Sequence, residues 1–285
     1  MDFQYWYLFP VGIVVAAIAN GAGVGGATFF SPLFVLVLKL QPQVAIGTAL
    51  ITEVFGFASG VIAHARARAI DWRLARSLLM ASVPAAIVGS LLGGVVSPTI
   101  LKVLLGLGLI GVAVAFIGHH VSEAEDAAIA RGEGVIEPAL PRSITTSDGQ
   151  TYEYRVCRRS EGRLFSGVGG AFVGLISTGL GEANTYALVK RCRVPTRITV
   201  ATGVVVVAVT ALVASVTHLI DFVQTGGDAI TTVRNIVIFT VPGVIVGGQL
   251  GPVVTRRVSE RTLIRSLGWL FLFIAIVTLG EAALA

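Results

Sequence analysis

The stretch NGAGVGGATFFSP, residues 20–32, sets Gly21, Gly23 and Gly26 in the spacing G-x-G-x-x-G, with Asn20, Thr28 and Ser31 beside them. Two chemistries use such a pattern. Glycines between a strand and a helix bring backbone N–H groups against the pyrophosphate of a dinucleotide. Glycines inside an apolar helix instead interrupt it and create a new helix start, whose free N–H groups and positive dipole end favour an anion. The first reading needs a soluble βαβ unit and an acidic residue about 20 positions on for the ribose. Positions 39–47 read KLQPQVAIG, without an acid, and both flanks are apolar. The dinucleotide reading fails on both counts.

The second reading gains from a second copy. STGLGEANTY, residues 177–186, carries Gly179 and Gly181 with Thr178 and Asn184. An oxyanion needs donors, and amides, hydroxyls and backbone N–H groups supply them without a permanent cation that would trap the ion. The candidate substrate ligands are therefore Asn20, Gly23, Gly25, Gly26, Thr28, Ser31, Thr178, Gly179, Gly181 and Asn184, joined by Thr48 and Thr202 from the segments that follow. Backbone capping or helix packing, as in Gly21-x-x-x-Gly25, is the competing role for each of them. Glu53 and Glu182 are ionisable groups within apolar runs, where a buried charge is expensive and marks a pathway or proton relay. They are proton-coupling candidates, the alternative being a protonated glutamate bonded between helices. His64 and His218 follow Thr48 and Thr202 in matching positions, about 24 Å further along a helix. That places them near opposite membrane faces, as interface residues or gate elements.

The elements that must carry these residues follow from composition. Of 285 residues, 54% are hydrophobic and only 13% charged, with a mean hydropathy of +0.85. Soluble domains carry roughly 25% charged residues, so the chain is expected to be an integral membrane protein. Long apolar stretches run at 44–63, 74–96, 100–118, 198–217, 230–250 and 263–284. Each can cross a hydrocarbon core of about 30 Å. Four shorter runs, 6–19, 27–38, 164–176 and 183–189, form two adjacent pairs, each joined by a Gly-rich break. Each pair is either two spans or a re-entrant hairpin, and both options return the chain to its starting side. The start lacks the basic region of a cleavable signal.

Basic residues set the orientation. With HARARAIDWRLAR (64–76) in the cytoplasm, all 21 Lys and Arg except Lys39, Lys102 and Arg234 fall on the inside. Both termini are then expected on the outer, periplasmic side. The net charge of +5 reflects this topology and anionic lipid rather than nucleic acid. Residues 119–162 are polar and read as a cytosolic connector, with a β-hairpin around Asp148-Gly149. The pair His119-His120 has no carboxylate or cysteine at a ligand spacing and is read as connector, so no metal is expected. Cys157 and Cys192 are read as unpaired, reduced thiols. H-E-x-x-H, G-x-S-x-G and paired catalytic carboxylates are absent from the sequence, which argues against an enzyme. No cofactor is expected.

The halves repeat. AGVGG (22–26) matches TGLGE (178–182), which sets Glu182 opposite Gly26. AIGTALITEVFGFASGVIAH (45–64) matches TVATGVVVVAVTALVASVTH (199–218), pairing Thr48 with Thr202, Glu53 with Val207 and His64 with His218. VPAAIVGSLLGG (83–94) matches VPGVIVGGQLGP (241–252), with Pro84 and Pro242 as expected kinks and Gly89, Gly93, Gly247 and Gly251 as packing positions. Five elements per half, an odd number, make the second half enter from the opposite face. The fold class is thus all-α: a polytopic membrane protein of two inverted-topology repeats of about five transmembrane or re-entrant helices each, residues 1–118 and 163–285. Transporters of this build bind at broken helices near the bilayer midplane.

GAGVGGATFFSPLFVLVLKLQPQVAIGTAL, its echo STGLGEANTYALVKRCRVPTRITVATGV and the two VPxxIVG blocks resemble the TauE/SafE family of sulfite exporters and anion permeases. The resemblance implies movement of a small sulfur-containing anion, such as sulfite, across the bacterial inner membrane. It leaves open uptake of an organosulfonate or another small anion. A passive channel and a membrane-embedded enzyme are the readings from other classes. Expected partners are the anion, protons and membrane lipid.

Overall fold

The computed structural model describes residues 3–117, 141–156, 159–225, 228–257 and 260–284. The described residues hold ten α-helices, a 3-10 turn at Phe3–Tyr5, a π-helical turn and one small sheet. The first half holds α1 (Leu8–Ala22), α2 (Ala27–Leu36), α3 (Pro42–Arg66), α4 (Trp72–Val95) and α5 (Pro98–Ile117). Strands β1 (Pro141–Thr145) and β2 (Thr151–Arg155) pair antiparallel, with Thr145 opposite Thr151 and Gly149 turning at φ 82°. This is the hairpin expected around Asp148-Gly149. The second half holds α6 (Arg159–Ile176), α7 (Leu180–Thr185) with a π-helical turn at Tyr186–Arg191, α8 (Thr196–Thr225), α9 (Asp228–Arg257) and α10 (Glu260–Leu284).

Six helices, α3–α5 and α8–α10, are long and apolar enough to cross a membrane. They correspond one to one with the six long apolar stretches of the sequence. Helices α1 and α2 have 15 and 10 residues, about 22 and 15 Å, and α2 cannot cross a 30 Å core alone. The surface is that of a lipid-facing protein. Large apolar side chains such as Val95, Met80 and Phe273 point outward, while Asn20, Thr28, Ser31, Thr48 and Thr202 are fully buried. A soluble domain would show the reverse.

The halves interlock. Helix α1 packs along α9 and α6 along α4, so the first helix of each half lies on the fourth helix of the other. Helix α3 likewise packs on α9 and α8 on α4, while α3 meets α8 and α5 meets α10. Small residues let these backbones approach. A Cβ on Gly89 would stand 2.1 Å from the Ala171 carbonyl, and one on Gly247 2.3 Å from that of Ile13. Pro84 and Pro242 lie within α4 and α9, which run on as single helices.

One register relates the halves over residues 19–64 and 173–218. Gly23 and Ser177, the left-handed residues ending α1 and α6, are repeat partners, and so are left-handed Lys39 and Arg193. The Leu40 N–H to Phe34 carbonyl bond returns as Val194 to Leu188, and Leu38 to Leu33 returns as Cys192 to Ala187. This register corrects the alignment drawn from the glycine letters. It pairs Gly25 with Gly179, and Glu182 with Thr28 rather than Gly26. The backbone turn is conserved between the halves at the end of the first helix, and the glycine letters slide by two residues around it.

Cys192 is disulfide-bonded, which corrects the expectation of a free thiol. The π-helical turn buries it, an environment that sequence spacing does not report. Cys157, His119 and His120 lie outside the described residues.

Candidate functional site

The site begins with two interruptions. Helix α1 stops when Gly23 turns left-handed at φ 69° and gives its N–H to Ala19, and the chain restarts as α2 at Ala27. Helix α6 stops at Ser177, φ 57°, and Gly179, φ 103°, then leads into α7 at Leu180. The second half-helix therefore starts three residues before the Ala183 expected from hydropathy, because Gly179 already provides the turn. The interruptions touch. A Cβ on Gly181 would stand 2.6 Å from the Gly23 carbonyl oxygen and 2.9 Å from the Gly25 nitrogen. Gly181 is thus a close-approach residue between the halves.

Around this contact the structure gathers hydroxyls and two carboxylates. Thr28 Oγ1 donates to Glu182 Oε1 at 3.0 Å and lies 2.9 Å from Thr178 Oγ1. Glu182 Oε2 accepts the Gly179 N–H at 3.2 Å, which caps α7 from within. Ser31 and Ser177 hydroxyls are hydrogen-bonded, and Ser177 also reaches the Ile176 carbonyl at 2.6 Å. Glu53, from α3, accepts the Ala27 N–H at 3.0 Å through Oε1. A Cβ on Gly25 would meet that oxygen at 3.1 Å and Thr28 Oγ1 at 3.3 Å, so Gly25 leaves the room that the carboxylate fills. Each half-helix start is thus held by a glutamate, one from its own first turn and one from a neighbouring helix.

Not every buried polar atom is paired. Glu53 Oε2 and both amide atoms of Asn184 have no hydrogen-bond partner, although Glu53 and Asn184 are 2% and 1% exposed. An unpaired buried polar group costs about 1–3 kcal/mol.

The expected ligands divide. Gly23, Gly25, Gly26, Thr28, Ser31, Thr178, Gly179 and Gly181 lie at the contact of the two breaks, with Glu53 and Glu182. Asn20 instead bonds the Ala16 carbonyl at 2.9 Å and wedges against Gly60 and Gly251, holding α1 between α3 and α9. Thr48 donates to the Val44 carbonyl of its own helix at 2.6 Å. Thr202 accepts the Asp71 N–H at 3.1 Å, at the turn between α3 and α4. Ser177 joins the cluster without having been singled out. Its signal in the sequence was its place just before Thr178, at the end of an apolar run.

The histidines form a symmetric pair. His64 Nε2 lies 3.3 Å from the Asn20 carbonyl and His218 Nε2 3.1 Å from the Gly174 carbonyl, each 44 residues upstream. Both are buried. They hold the ends of α1 and α6, where backbone carbonyls lack helical partners. Hydroxyl pairs do similar work deeper in the bundle: Thr52 with Thr240 at 3.1 Å, and Ser82 with Thr210 at 2.9 Å.

One face carries an addition without a repeat partner. Asp71 caps α4 through the N–H groups of Arg73 and Leu74, at 3.0 and 2.9 Å. Its other oxygen accepts the Tyr154 hydroxyl at 2.8 Å and pairs with Arg142, so it ties both strands of the hairpin to the α3–α4 turn. Burial, then the Asp71 hydrogen bond and charge, push the Tyr154 phenol well above its ordinary range. Asp148 at the hairpin tip binds Arg197 of α8 at 2.8 Å. The Thr146 hydroxyl, then the Arg197 guanidinium, lower its carboxyl to about 2. The hairpin thereby bridges a turn of the first half and a helix start of the second.

Interlocked inverted halves with two broken helices meeting in a polar centre describe a solute-moving membrane protein, and sequence comparison agrees. The family profile of the sulfite exporter TauE/SafE matches residues 8–278. The chain belongs to the TauE/SafE family. As a TauE/SafE protein it is a multi-pass membrane protein of a transporter family. It is similar to two proteins of Bacillus subtilis (strain 168). The probable membrane transporter protein YunE is 23% identical over 264 residues, covering 90% of each chain. The probable membrane transporter protein YjnA is 27% identical over 266 residues, covering 89% of this chain and 91% of its own. No solved structure gives a significant match.

Proposed function

We propose that this protein is a secondary transporter for a small sulfur-containing anion, exporting sulfite across the inner membrane by alternating access. The observation that carries the reading is the contact of the two breaks, Gly181 against Gly23–Gly25, inside a buried cluster of donors. Thr28, Ser31, Thr178, the Ala27 N–H now held by Glu53 and the unpaired Asn184 amide offer hydrogen bonds to an oxyanion. Helices of the two bundles α1–α3–α9 and α6–α8–α4 each come from both halves. Rocking one bundle on the other about the α3–α8 contact would expose the cluster to either side in turn. The polar connector, residues 119–162, and the dense basic flanks support a cytoplasmic hairpin face and outward termini. The choice of sulfur rests on the family's name.

Flux into proteoliposomes with sulfite, sulfate, thiosulfate, taurine and sulfoacetate tests the proposal. Saturable flux of at least one, accumulated against its gradient when a second gradient is imposed, is expected. Flux that never saturates means a channel. If none of the panel moves or competes, the sulfur-anion assignment fails.

A further inference from the structure

We propose that Glu53 is the coupling group of this transporter: its carboxylate occupies the α2 N-terminal amide that an oxyanion needs, so anion and proton bind together, while Glu182 is a fixed tie between the halves. The proposal rests on the transport reading above and assigns its coupling ion: anion and proton travel the same way, so export runs down the anion's own gradient and an inward proton gradient drives uptake.

The two glutamates are equally buried but differently bonded. Both oxygens of Glu182 accept hydrogen bonds, one from Thr28 and one from the Gly179 N–H. Its repeat partner is Thr28 itself, so this bond joins equivalent positions, 154 residues apart, across the pseudo-two-fold axis. A group so held has little to gain from moving. Glu53 is held only by backbone amides of the first break, Ala27 and Gly26. Oε1 takes the Ala27 N–H, and Oε2, as buried, takes nothing. The counterpart of Glu53 on α8 is Val207, fully buried and apolar, so nothing equivalent stands over the second break.

Those amides sit where an anion would dock. Helix α2 has ten residues, and with the Thr28 and Phe29 N–H groups already bonded to the Gly25 and Gly26 carbonyls, the Ala27 N–H is the donor its anion-favouring end presents. The glutamate is already there as the resident oxyanion. A solute anion and an ionised Glu53 cannot share this amide, because like charges repel strongly in a low-dielectric interior. Across the break Glu182 adds the same sign, Thr28 adds a neutral hydroxyl, and Val207 adds nothing. Protonation at Oε2 resolves the conflict. The carboxylate becomes a neutral acid, its hold on the Ala27 N–H weakens, and the charged solute outcompetes it for that N–H. When the solute leaves, the proton leaves Oε2 and the carboxylate returns to Ala27. The O–H bond at Oε2 is made as the anion binds and broken as it leaves, no other covalent bond changes, and one proton accompanies each anion.

The test uses the full chain in proteoliposomes loaded with a pH-reporting dye, in sodium-free buffer. Wild type, E53Q and E182Q are given a gradient of whichever panel anion wild type carries. Wild type is expected to move one proton with each anion and to accumulate the anion when only a pH gradient is imposed. E53Q keeps an oxygen acceptor for Ala27 and is expected to fold, as its melting temperature will show. Its pH-driven accumulation should fall at least tenfold while downhill flux continues. A proton brought in by the anion itself appears equally in both proteins, so their difference reads Glu53 alone. E182Q should keep the wild-type proton-to-anion ratio in whatever fraction folds. The proposal is overturned if E53Q stays proton-coupled, if coupling is lost in E182Q instead, or if wild-type accumulation follows sodium. Wild type that moves no panel anion at all defeats the transport reading itself.

Discussion

His64 grips the Asn20 carbonyl and His218 grips the Gly174 carbonyl over the same spacing of 44 residues, yet the two helix breaks they flank are held by different groups. At the first, a glutamate reaches over from α3. At the second, the glutamate belongs to the half-helix itself. The repeat has kept the residues that set helix ends and crossings. It has diverged where side chains face the common centre. On the reading proposed above, a symmetric frame supplies two equivalent bundles to exchange positions, and the asymmetric centre sets a carboxylate over one of the two breaks.

The sharpest way to break this comparison is to separate the two halves at their contact. Gly181→Val must push a branched side chain into the Gly23–Gly25 backbone, with the first carbon only 2.6 Å from an oxygen. Overpacking costs typically 1–3 kcal/mol and more when backbone must yield, so little folded protein is expected by size-exclusion chromatography. Gly203→Ala, with nothing within 4 Å of the added carbon, should fold normally.

The two glutamates come next. Glu182→Ala breaks the Thr28 bond between the halves and strands the Gly179 N–H, Thr28 keeping only Thr178, whereas Glu53→Ala breaks amide contacts within the first half. Each buried group left unpaired costs about 1–3 kcal/mol, and because only Glu182 ties one half to the other, Glu182→Ala should lower the melting temperature more. Equal losses would remove the distinction between tie and guard. His64→Ala and His218→Ala probe the frame instead. Each loses one buried hydrogen bond of about 1 kcal/mol along with its ring packing, and the two melting shifts should match. A clear mismatch would show that the frame, too, has diverged.

The smallest effects belong to the hairpin, which has no counterpart in the repeat. Asp71→Ala removes an N-cap worth about 1 kcal/mol together with the anchor of Arg142 and Tyr154, so limited proteolysis should cut between residues 141 and 156 sooner. Acid should act on the hairpin tip with a defined sign. Because folding lowers the Asp148 carboxyl to about 2, its contribution is complete above the ordinary carboxylate range and fades as pH falls towards that value. Protection of the amides of residues 146–150, taken relative to intrinsic exchange at each pH, should stay constant down to about pH 4 and fall below it, and Asp148→Asn should abolish that fall.

Much of this was legible in the chain before any fold was known. Hydropathy located six spans because a bilayer core demands about 20 apolar residues in line, and length is a local property. The Asp148-Gly149 turn announced its hairpin because its chemistry is local too. The repeat was visible in His64 and His218, whose spacing from Thr48 and Thr202 the folded helices preserve. The roles of those threonines were not legible. Thr202 bonds the Asp71 turn and Thr48 its own helix, because a threonine's partner depends on which helix passes beside it. The disulfide of Cys192 was not legible either, because a pairing made through space leaves no mark in the spacing.

The sequence by itself determined that the chain lives in a membrane, in two inverted halves each broken by glycine, since these follow from composition, period and residue type. Only the tertiary structure decided that Gly181 rests on Gly23–Gly25, that Thr28 rather than Gly26 is the partner of Glu182, and that Glu53 stands guard over Ala27. Those facts depend on how helices from opposite faces pass one another. Close packing settles that crossing to within a few ångströms, and no spacing along a single chain encodes it.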